Sequence, residues 1–446
     1  MSGAFAGERA VIVGLGVSGR AAVEVLLAEG AEVRVTEERT LDRLGSVDDL
    51  EALGVQVRAG GHQPEHLDGA TLVVPSPGVA EGSAVLSWAG DRALPVLGEL
   101  ELGARLARVP YLAVTGTNGK TTATGLITSC LRAAGFDAVG CGNIGHPFPL
   151  AAREAHDALV VEASSFQLRF QDSFHPRVSV LLNVSPDHLD WHGSFERYAA
   201  AKARIFENQR HPDVHVGNRD DAEAARISAS APCETIWFRS GLPQDGECGF
   251  DGSQLLSRID APTLLGPVNG ERTGFREDVA AAAAAVLSFG APPTAVSEGI
   301  DSFEPPSHRG EIVAAVDGVR FIDNSKATNV HAALAAIASA GRCVLIAGGV
   351  AKGADLSPLA AASDRLAAVI AIGEAADELV SAFEGKLQVR KAGSMEEAAR
   401  VGFELAPRPG TVLLAPACAS WDMFTDYEER GERFIAEARS IEVAHA

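Results

Sequence analysis

The sequence is short of cysteines and of basic residues, and each shortage excludes a class of protein. The six cysteines occur singly, without a C-x-x-C pair or a histidine at metal-ligand spacing. This pattern argues against a disulfide framework or a zinc site, and it is typical of a reducing compartment. Lys and Arg total 38 against 59 Asp and Glu, a formal net charge of −21. Non-specific binding of nucleic acid or of anionic membranes is therefore not expected, because phosphate neutralisation requires an excess of cations.

Long apolar runs are also absent. The stretch 279–297 carries no charge, but Gly290 and Pro292-Pro293 interrupt it before the roughly 18 apolar residues that a membrane span requires. The first residues reach Glu8 and Arg9 without a basic region followed by an apolar one, so no signal peptide is expected. We therefore expect a cytoplasmic protein with no membrane insertion.

The 446 residues contain 46% hydrophobic and 22% charged residues, which is ordinary globular usage and allows two to four domains. Short apolar runs that end in turns alternate with helical patterns in three successive series. Alternation of this kind predicts α/β domains with parallel sheets. The stretch 95–101 and Pro305-Pro306 indicate the passages between series, which predicts domains at 1–98, 99–305 and 306–446.

The first glycine-rich turn is Gly14-Leu15-Gly16-Val17-Ser18-Gly19, a G-x-G-x-x-G between a predicted strand and a predicted helix. Glu37 follows about twenty residues later, near the end of the second predicted strand. Backbone amides and a helix N-terminus in this arrangement commonly face a pyrophosphate. By itself the turn fits a nicotinamide dehydrogenase, another nucleoside diphosphate, or a tight turn without a ligand.

The second turn, Thr115-Gly116-Thr117-Asn118-Gly119-Lys120-Thr121, follows the predicted strand 111–114. It resembles a P-loop, although Val114 occupies the place of the usual first glycine. A G-K-T triplet can occur by chance, but its position after a strand favours phosphate binding. Hydride transfer has no use for a second phosphate turn. The two turns together favour an ATP-dependent ligase that acts on a nucleotide-linked substrate.

Five further segments carry a family resemblance: Glu162–Leu168, Asn183–Asp190, Tyr198–Lys202, Asp323–Asn329 and Pro416–Ser420. Together with the second turn they resemble the Mur ligase family, over nearly all of the chain. The S-K-A-T-N segment, Ser325–Asn329, favours the D-glutamate-adding members over the diaminopimelate- or lysine-adding ones.

The resemblance implies a fold and a reaction. The expected fold has a Rossmann-like N-terminal domain for a UDP-linked substrate, a central P-loop ATPase-like domain, and a Rossmann-like C-terminal domain for the amino acid. The expected reaction is ATP-dependent addition of D-glutamate to UDP-N-acetylmuramoyl-L-alanine through an acyl phosphate, in peptidoglycan precursor synthesis. The partners would be these small molecules, with no nucleic acid, and the chain would be a monomer.

The resemblance also implies three groups of binding residues. Those expected to contact the UDP-linked substrate are Leu15, Gly16, Val17, Ser18, Glu37, Arg39, Ser76, Pro77, Gly78 and Asn143. Those expected to contact ATP are Gly116, Thr117, Asn118, Gly119, Lys120, Thr121, Thr122, Asp278 and Arg309. Those expected to contact D-glutamate are Thr328, Lys352, Ser420, Trp421 and Tyr427.

The catalytic residues implied by the resemblance are Lys120, Lys202, His188 and Lys326. Two Mg²⁺ ions are expected, held by Thr121, Glu162, His188 and a carbamylated Lys202. Carbamylation turns a cation into a carboxylate, an oxygen ligand that suits Mg²⁺, and it requires the neutral amine.

The chain departs from the family pattern at two places, and Trp421 is a further residue of interest. A G-x-H-N-x-x-N segment is usual near the adenine, whereas this chain has Gly270–Asp278, with Asp278 in place of the last Asn. An ionised Asp only accepts hydrogen bonds, whereas an Asn also donates them. Asp323-Asn324 precedes S-K-A-T-N where N-D is common, and Trp421 follows Ser420. These departures concern the adenine contacts and the amino-acid preference.

Three alternatives remain at this stage. The first is an ATP-dependent amide ligase for another amino acid or acceptor. The second is a regulatory nucleotide-binding protein that has lost catalysis, against which Lys120, Glu162, His188, Lys202 and Lys326 all count. The third is a nicotinamide oxidoreductase, which leaves the second turn unexplained.

Overall fold

The computed structural model describes residues 3–44, 46–268 and 276–445. Three β-sheets follow one another along the chain, each flanked by helices, so the predicted three-domain α/β class is confirmed. None of the helices in these described ranges is long and apolar enough to cross a membrane.

The first sheet is parallel throughout, with the strand order β3-β2-β1-β4. Its strands are β1 (Arg9–Val13), β2 (Glu32–Glu37), β3 (Gln56–Ala59) and β4 (Leu72–Pro75). The helices are α1 (Val17–Ala28), α2 (Leu41–Leu44), α3 (Asp48–Ala52), α4 (Ala84–Asp91) and α5 (Glu99–Leu106), with a 3₁₀ helix at Pro64–Leu67. The central strand β1 is almost completely buried, as its unbroken apolar run requires.

The second sheet has nine strands, in the order β13-β12-β11-β10-β9-β8-β5-β7-β6. They are β5 (Tyr111–Thr115), β6 (Ala138–Gly142), β7 (Ala158–Glu162), β8 (Val178–Leu181), β9 (Val214–Asn218), β10 (Glu234–Phe238), β11 (Glu247–Asp251), β12 (Gln254–Ser257) and β13 (Thr263–Pro267). Strands β5 to β11 pair in parallel, and β12 and β13 add an antiparallel edge. The carboxyl ends of β5, β6, β7 and β8 therefore meet at one edge of the sheet, where ligands bind in open α/β sheets.

The helices of this stretch are α6 (Lys120–Ala133), α7 (Phe148–Ala151), α8 (Ser165–Leu168), α9 (Leu189–His192), α10 (Phe195–Ala203), α11 (Ala222–Ser228), α12 (Arg276–Phe289) and α13 (Pro293–Ser302), with a 3₁₀ helix at Arg204–Phe206. The alanine run 280–285 of α12 is buried in one core with β5 and α6. Small side chains let α12 pack closely there, and a larger side chain would cost about 1–3 kcal/mol by overpacking.

The third sheet has the strand order β14-β15-β19-β16-β17-β18. Its strands are β14 (Glu311–Val316), β15 (Val319–Asp323), β16 (Cys343–Gly348), β17 (Leu366–Ile372), β18 (Val389–Lys391) and β19 (Gly410–Leu414). Its helices are α14 (Val330–Ala340), α15 (Ala376–Ala382), α16 (Met395–Leu405) and α17 (Tyr427–His445), with a 3₁₀ helix at Ser357–Arg365. Only the edge strand β14 pairs antiparallel among these strands.

The chain forms two compact units. The first contains Met1–Val184 and Ala199–Phe303 in their described parts, and thus the first two sheets. The second contains Ser185–Tyr198 and Glu304–Ala446 in their described parts. The domain limits at 98 and 305 stay a prediction.

Candidate active site

The turn between β5 and α6 is held in a fixed shape by hydrogen bonds to Asn183. The Thr117 amide donates to the Asn183 backbone carbonyl at 2.9 Å, and the Asn118 amide donates to Asn183 Oδ1 at 2.8 Å. Asn183 follows β8, so the neighbouring strand fixes the shape of the turn. Gly119 has a φ of +84°, and a Cβ there would lie 2.2 Å from Asp278 Oδ1. Glycine is thus required at this position both for backbone conformation and for space.

Two lysines converge on one carbonyl of this turn. The Gly116 oxygen accepts from Lys120 Nζ at 3.0 Å and from Lys202 Nζ at 2.7 Å. Lys120 also donates to the Thr117 carbonyl at 3.0 Å. Lys202 is only 1% exposed, although it lies on the alanine-rich helix α10. The sequence pattern of α10 indicates a solvated surface lysine, and the structure places this one inside the domain.

Glu162 ends β7 beside this turn, opposite Val114 of β5. Its carboxylate is buried, and Oε1 accepts from Asn143 Nδ2 at 2.8 Å. The other oxygen, Oε2, is buried without a hydrogen-bond partner in the structure. A buried carboxylate oxygen without a partner is costly, and a cation would satisfy it. The hydroxyl oxygen of Thr122, in the first turn of α6, is also buried and has no hydrogen-bond partner in the structure.

The first glycine-rich turn closes tightly at the start of α1. Ser76 Oγ donates to the Gly14 carbonyl at 2.9 Å, and a Cβ on Gly19 would lie 2.1 Å from that oxygen. Gly19 therefore allows the close packing of helix and strand that such a turn needs. Gly16 and Val17 are exposed and Ser18 is partly exposed, so this face of the turn is accessible.

The Glu37 carboxylate accepts a hydrogen bond from one backbone amide of the first glycine-rich turn. The Leu15 amide donates to Glu37 Oε2 at 2.6 Å, and Arg39 pairs with the same carboxylate at 3.0 Å. Burial raises the pKa of Glu37, but the hydrogen bonds from Arg39 and Leu15 outweigh it and lower the pKa to about 2. The Leu15 amide, expected at a diphosphate, is thus engaged by a carboxylate. Arg39 remains about half exposed beside it.

In the second unit, Asp187 pairs with two residues expected near substrates. Lys352 Nζ donates to Asp187 Oδ1 at 2.9 Å, and Asn329 Nδ2 donates to Oδ2 at 3.3 Å. The Lys352 and Asp187 side chains are only 9% and 10% exposed. His188, next along the chain, has a φ of +52° and its amide also donates to Asp187 Oδ1. Asp187 therefore links Lys352, Asn329 and the His188 backbone through hydrogen bonds to one carboxylate.

The S-K-A-T-N segment lies against the start of α17. Lys326 Nζ lies 3.5 Å from the Tyr427 ring centroid, a cation–π contact. His308 Nδ1 lies 2.6 Å from Asp323 Oδ2, which fixes the orientation of the imidazole. Burial and Glu428 raise the pKa of Tyr427 to about 12, against the opposing effect of Arg309. The structure thus brings Lys326, Tyr427 and His308 together.

Ser420 and Trp421 differ sharply in exposure. Ser420 is buried, whereas Trp421 is 66% exposed. The backbone around Ser420 is held by paired hydrogen bonds between Val350 and Ala419, which bring the segment before Lys352 alongside it. Lys352 and Ser420 are therefore on adjoining segments of one unit, and the Trp421 ring faces solvent.

Arg430 has the largest fully buried side chain of the described residues, and the sequence motifs do not predict its role. Its guanidinium donates to Ser325 Oγ at 3.0 Å, to the Ser325 carbonyl at 2.8 Å and to the Cys418 carbonyl at 3.0 Å. It therefore fastens the S-K-A-T-N segment to the 416–420 segment. The available signal was its place on the apolar stripe of α17, with Phe434 and Ala438.

The predicted site residues are thus distributed over both units. Glu162, Asn143, Lys120, Lys202 and the Gly116 turn lie together at one sheet edge of the first unit. His188, Lys326, Thr328, Lys352, Ser420 and Tyr427 belong to the second. Asp278 lies against Gly119, whereas Gly270–Phe275 of the adenine-side segment lie outside the described residues. No three His, Cys, Asp or Glu side chains in the described ranges are grouped as a metal site.

Comparison with known proteins places the chain in a family. Residues 8–98 match the Mur ligase MurD-like N-terminal domain, 114–241 the Mur ligase middle domain, and 308–418 the Mur ligase glutamate ligase domain. UDP-N-acetylmuramoylalanine–D-glutamate ligase of Frankia casuarinae is 40% identical, over 98% of this chain and 95% of that protein. The ligase of the same name from Syntrophotalea carbinolica is 37% identical, over 98% and 99%.

A solved structure agrees on the fold. UDP-N-acetylmuramate–alanine ligase from Thermotoga maritima superposes with a TM-score of 0.58 at 17% identity, covering 97% of this chain and all of that one. The three matched domains and the near-complete coverage by relatives at about 40% identity lead to one conclusion. This chain belongs to the Mur ligase family, within the branch of the UDP-N-acetylmuramoylalanine–D-glutamate ligases.

Proposed function

We propose that this protein joins D-glutamate to UDP-N-acetylmuramoyl-L-alanine at the expense of ATP, in peptidoglycan precursor synthesis. The observation that carries the proposal is the phosphate turn at which Lys120 and Lys202 meet on the Gly116 carbonyl, next to Glu162. A cytoplasmic monomer with domains at 1–98, 99–305 and 306–446 is part of the same proposal. A nicotinamide oxidoreductase would leave this turn unused.

The reaction has two steps. A carboxylate is unreactive toward an amine until one of its oxygens becomes a good leaving group. The L-alanyl carboxylate oxygen attacks the γ-phosphorus of ATP, ADP leaves, and an acyl phosphate forms. The amine of D-glutamate then attacks the acyl carbon, loses a proton, and expels inorganic phosphate. Positioning and charge neutralisation dominate such chemistry, and both are supplied by fixed amides and lysines.

Lys120 and the turn amides would bind the phosphates, with Gly116, Thr117, Asn118, Gly119, Thr121 and Thr122 forming the cradle. The amides of Thr117 and Asn118 already donate to Asn183, so part of this cradle is held in shape by protein before ATP arrives. Lys120 presently bonds two carbonyls of the turn and would exchange them for phosphate oxygens. Arg309 and Asp278 complete the set of residues proposed to contact ATP.

The residues present fit a Mg²⁺ ion. Glu162 Oε2 is a buried carboxylate oxygen without a partner, and hard oxygen ligands are what this ion prefers. Glu162, Thr121 and a carbamylated Lys202 would hold it, with His188 contributing to a second ion. Bound Mg²⁺ would neutralise negative charge on the transferred phosphoryl group. Lys202 is buried and lies beside Lys120 at the Gly116 carbonyl, and carbamylation would turn it from a cation into a carboxylate ligand.

The incoming D-glutamate carries two carboxylates, and each of them needs hydrogen-bond donors from the protein. Lys352 and Ser420 would bind its carboxylates, Thr328 and Tyr427 would line the same pocket, and Trp421 would lie at its rim. Lys326, held over Tyr427, would face the reacting groups. On the other substrate, Arg39 and Glu37 would lie beside the uracil, and Gly16, Val17, Ser18, Ser76, Pro77, Gly78 and Asn143 would line the diphosphate and sugar.

The test is phosphate release by the purified protein from ATP. We expect release only when UDP-N-acetylmuramoyl-L-alanine and D-glutamate are both present, and loss of release in the Lys120→Ala variant. Equal turnover with L-glutamate, or with no amino acid, would contradict the proposed substrate. Turnover with a different amino acid would support the broader amide-ligase alternative, and binding of ATP without turnover would support a regulatory role.

A further inference from the structure

Glu99 is a buried acid that the reaction does not use. It is 3% exposed at the first position of α5, immediately after the passage out of the first sheet. Neither carboxyl oxygen has a hydrogen bond of normal geometry, and the groups that face it in the described parts of the chain include no Lys, Arg or His. Such surroundings disfavour the ionised form of the carboxyl group relative to the protonated form.

The surroundings of Glu99 come from three elements of the first unit, namely α1, α7 and α8. The Ser18 hydroxyl in the first turn of α1, the Gln167 side chain of α8 and the Phe148 amide face the carboxyl. Burial raises the pKa of Glu99, and these three groups only partly offset that effect. Gln167 is itself fixed, because its Oε1 accepts from both the amide and the hydroxyl of Ser164, two residues after Glu162.

A matched contrast lies two residues further along the same helix. Glu101 is fully buried, yet it accepts from Arg105 at 2.7 Å, from the Ser173 hydroxyl at 2.6 Å and from two backbone amides. Burial raises the pKa of Glu101, but these donors outweigh it and lower the pKa. Helix α5 thus carries one acid that Arg105 and several polar donors tie into the fold and one acid that lacks a charged partner.

We propose that Glu99 is a positioning residue for the uridine-nucleotide substrate, its uncharged carboxyl setting the register between the Ser18 turn and the Gln167–Ser164 segment. The inference rests on the proposed function, because Ser18 is expected at the diphosphate. The volume and hydrogen-bonding atoms of the side chain matter, and its charge does not. Gln is therefore an adequate replacement and Ala is not.

The test uses Glu99→Gln, Glu99→Ala and the control Glu101→Gln. We expect Glu99→Gln to keep the wild-type KM for the UDP-linked substrate, and Glu99→Ala to raise it about tenfold, with the KM for ATP unchanged in both. Glu101→Gln should lower the melting temperature and leave the KM for the UDP-linked substrate unchanged. An infrared difference spectrum of wild type against Glu99→Gln should contain a protonated-carboxyl band.

Two results would overturn the inference. One is a KM in Glu99→Gln raised as far as in Glu99→Ala, or a carboxylate band in the difference spectrum, since either shows that the charge is needed. The other is an unchanged KM in Glu99→Ala. If Glu99→Ala does not fold, Glu99→Leu replaces it, because this variant keeps the side-chain volume and removes the hydrogen-bonding atoms, and it should raise the same KM. Calorimetric binding of the UDP-linked compound without ATP separates this test from the proposed ligase activity, because it does not depend on turnover.

Discussion

Lys352 Nζ and Asp187 Oδ1 form an ion pair of 2.9 Å, with both side chains about nine-tenths buried. The lysine expected to receive a carboxylate of D-glutamate is thus already neutralised by a carboxylate of its own unit. Asp187 also accepts from Asn329 at 3.3 Å. The Asp187 carboxylate compensates the buried Lys352 ammonium before any substrate binds. It would therefore compete with a substrate carboxylate for the same ammonium.

The structural and the substrate-binding roles of Lys352 can be separated by a double substitution. Lys352→Met alone removes the charge-assisted hydrogen bond to the buried Asp187 carboxylate, so we expect a loss of about 2–3 kcal/mol in the free energy of unfolding. Adding Asp187→Asn should restore most of that stability without restoring the KM for D-glutamate. Urea unfolding and steady-state kinetics measure the two effects. Recovery of both together would mean that Lys352 has only a structural role.

Lys202→Ala should abolish turnover, by about a hundredfold or more, because it removes the expected oxygen ligand beside the phosphate turn. A short carboxylic acid such as formate, added at high concentration, should restore part of the activity by supplying a carboxylate. Lys386→Ala, at an exposed lysine, serves as the control. Full activity in Lys202→Ala would remove Lys202 from the mechanism.

The Glu37 carboxylate should make the free energy of unfolding depend on pH in the acid range. Its pKa is lowered from an ordinary 4.5 to about 2, so its contribution is fully present above about 4.5 and is lost as the pH falls toward 2. Glu37→Gln should therefore flatten the dependence of the urea midpoint on pH in that window. Superimposable profiles of variant and wild type would show that the Leu15 and Arg39 contacts do not favour the ionised form.

Asp278 should weaken ATP binding. Its carboxylate lies against Gly119 of the phosphate turn, where a negative charge repels a triphosphate. Asp278→Asn removes that charge and keeps the shape, so we expect the KM for ATP to fall about two- to fivefold, corresponding to roughly 1 kcal/mol or less. The KM for D-glutamate should stay unchanged. A higher KM for ATP in the variant would mean that the carboxylate itself accepts a hydrogen bond from the nucleotide.

The sequence predicted the central strands well, because continuous apolar runs such as 10–13 and 344–346 can only be buried. Both phosphate turns were recognisable, since each follows a strand and opens a helix. What could not be predicted depends on contacts between distant segments. The grouping of Ser185–Tyr198 with the second unit, the Lys352–Asp187 pair and the position of Arg430 leave no local pattern. The burial of Lys202 even contradicts the local pattern of its helix.

Ligation through an acyl phosphate moves one oxygen of the alanyl carboxylate to inorganic phosphate, and an isotope label follows that oxygen. UDP-N-acetylmuramoyl-L-alanine labelled with ¹⁸O in the alanyl carboxylate would be incubated with ATP, D-glutamate and the protein. We expect one labelled oxygen in the released inorganic phosphate, in step with formation of the amide product. Amide product accompanied by unlabelled phosphate would contradict it.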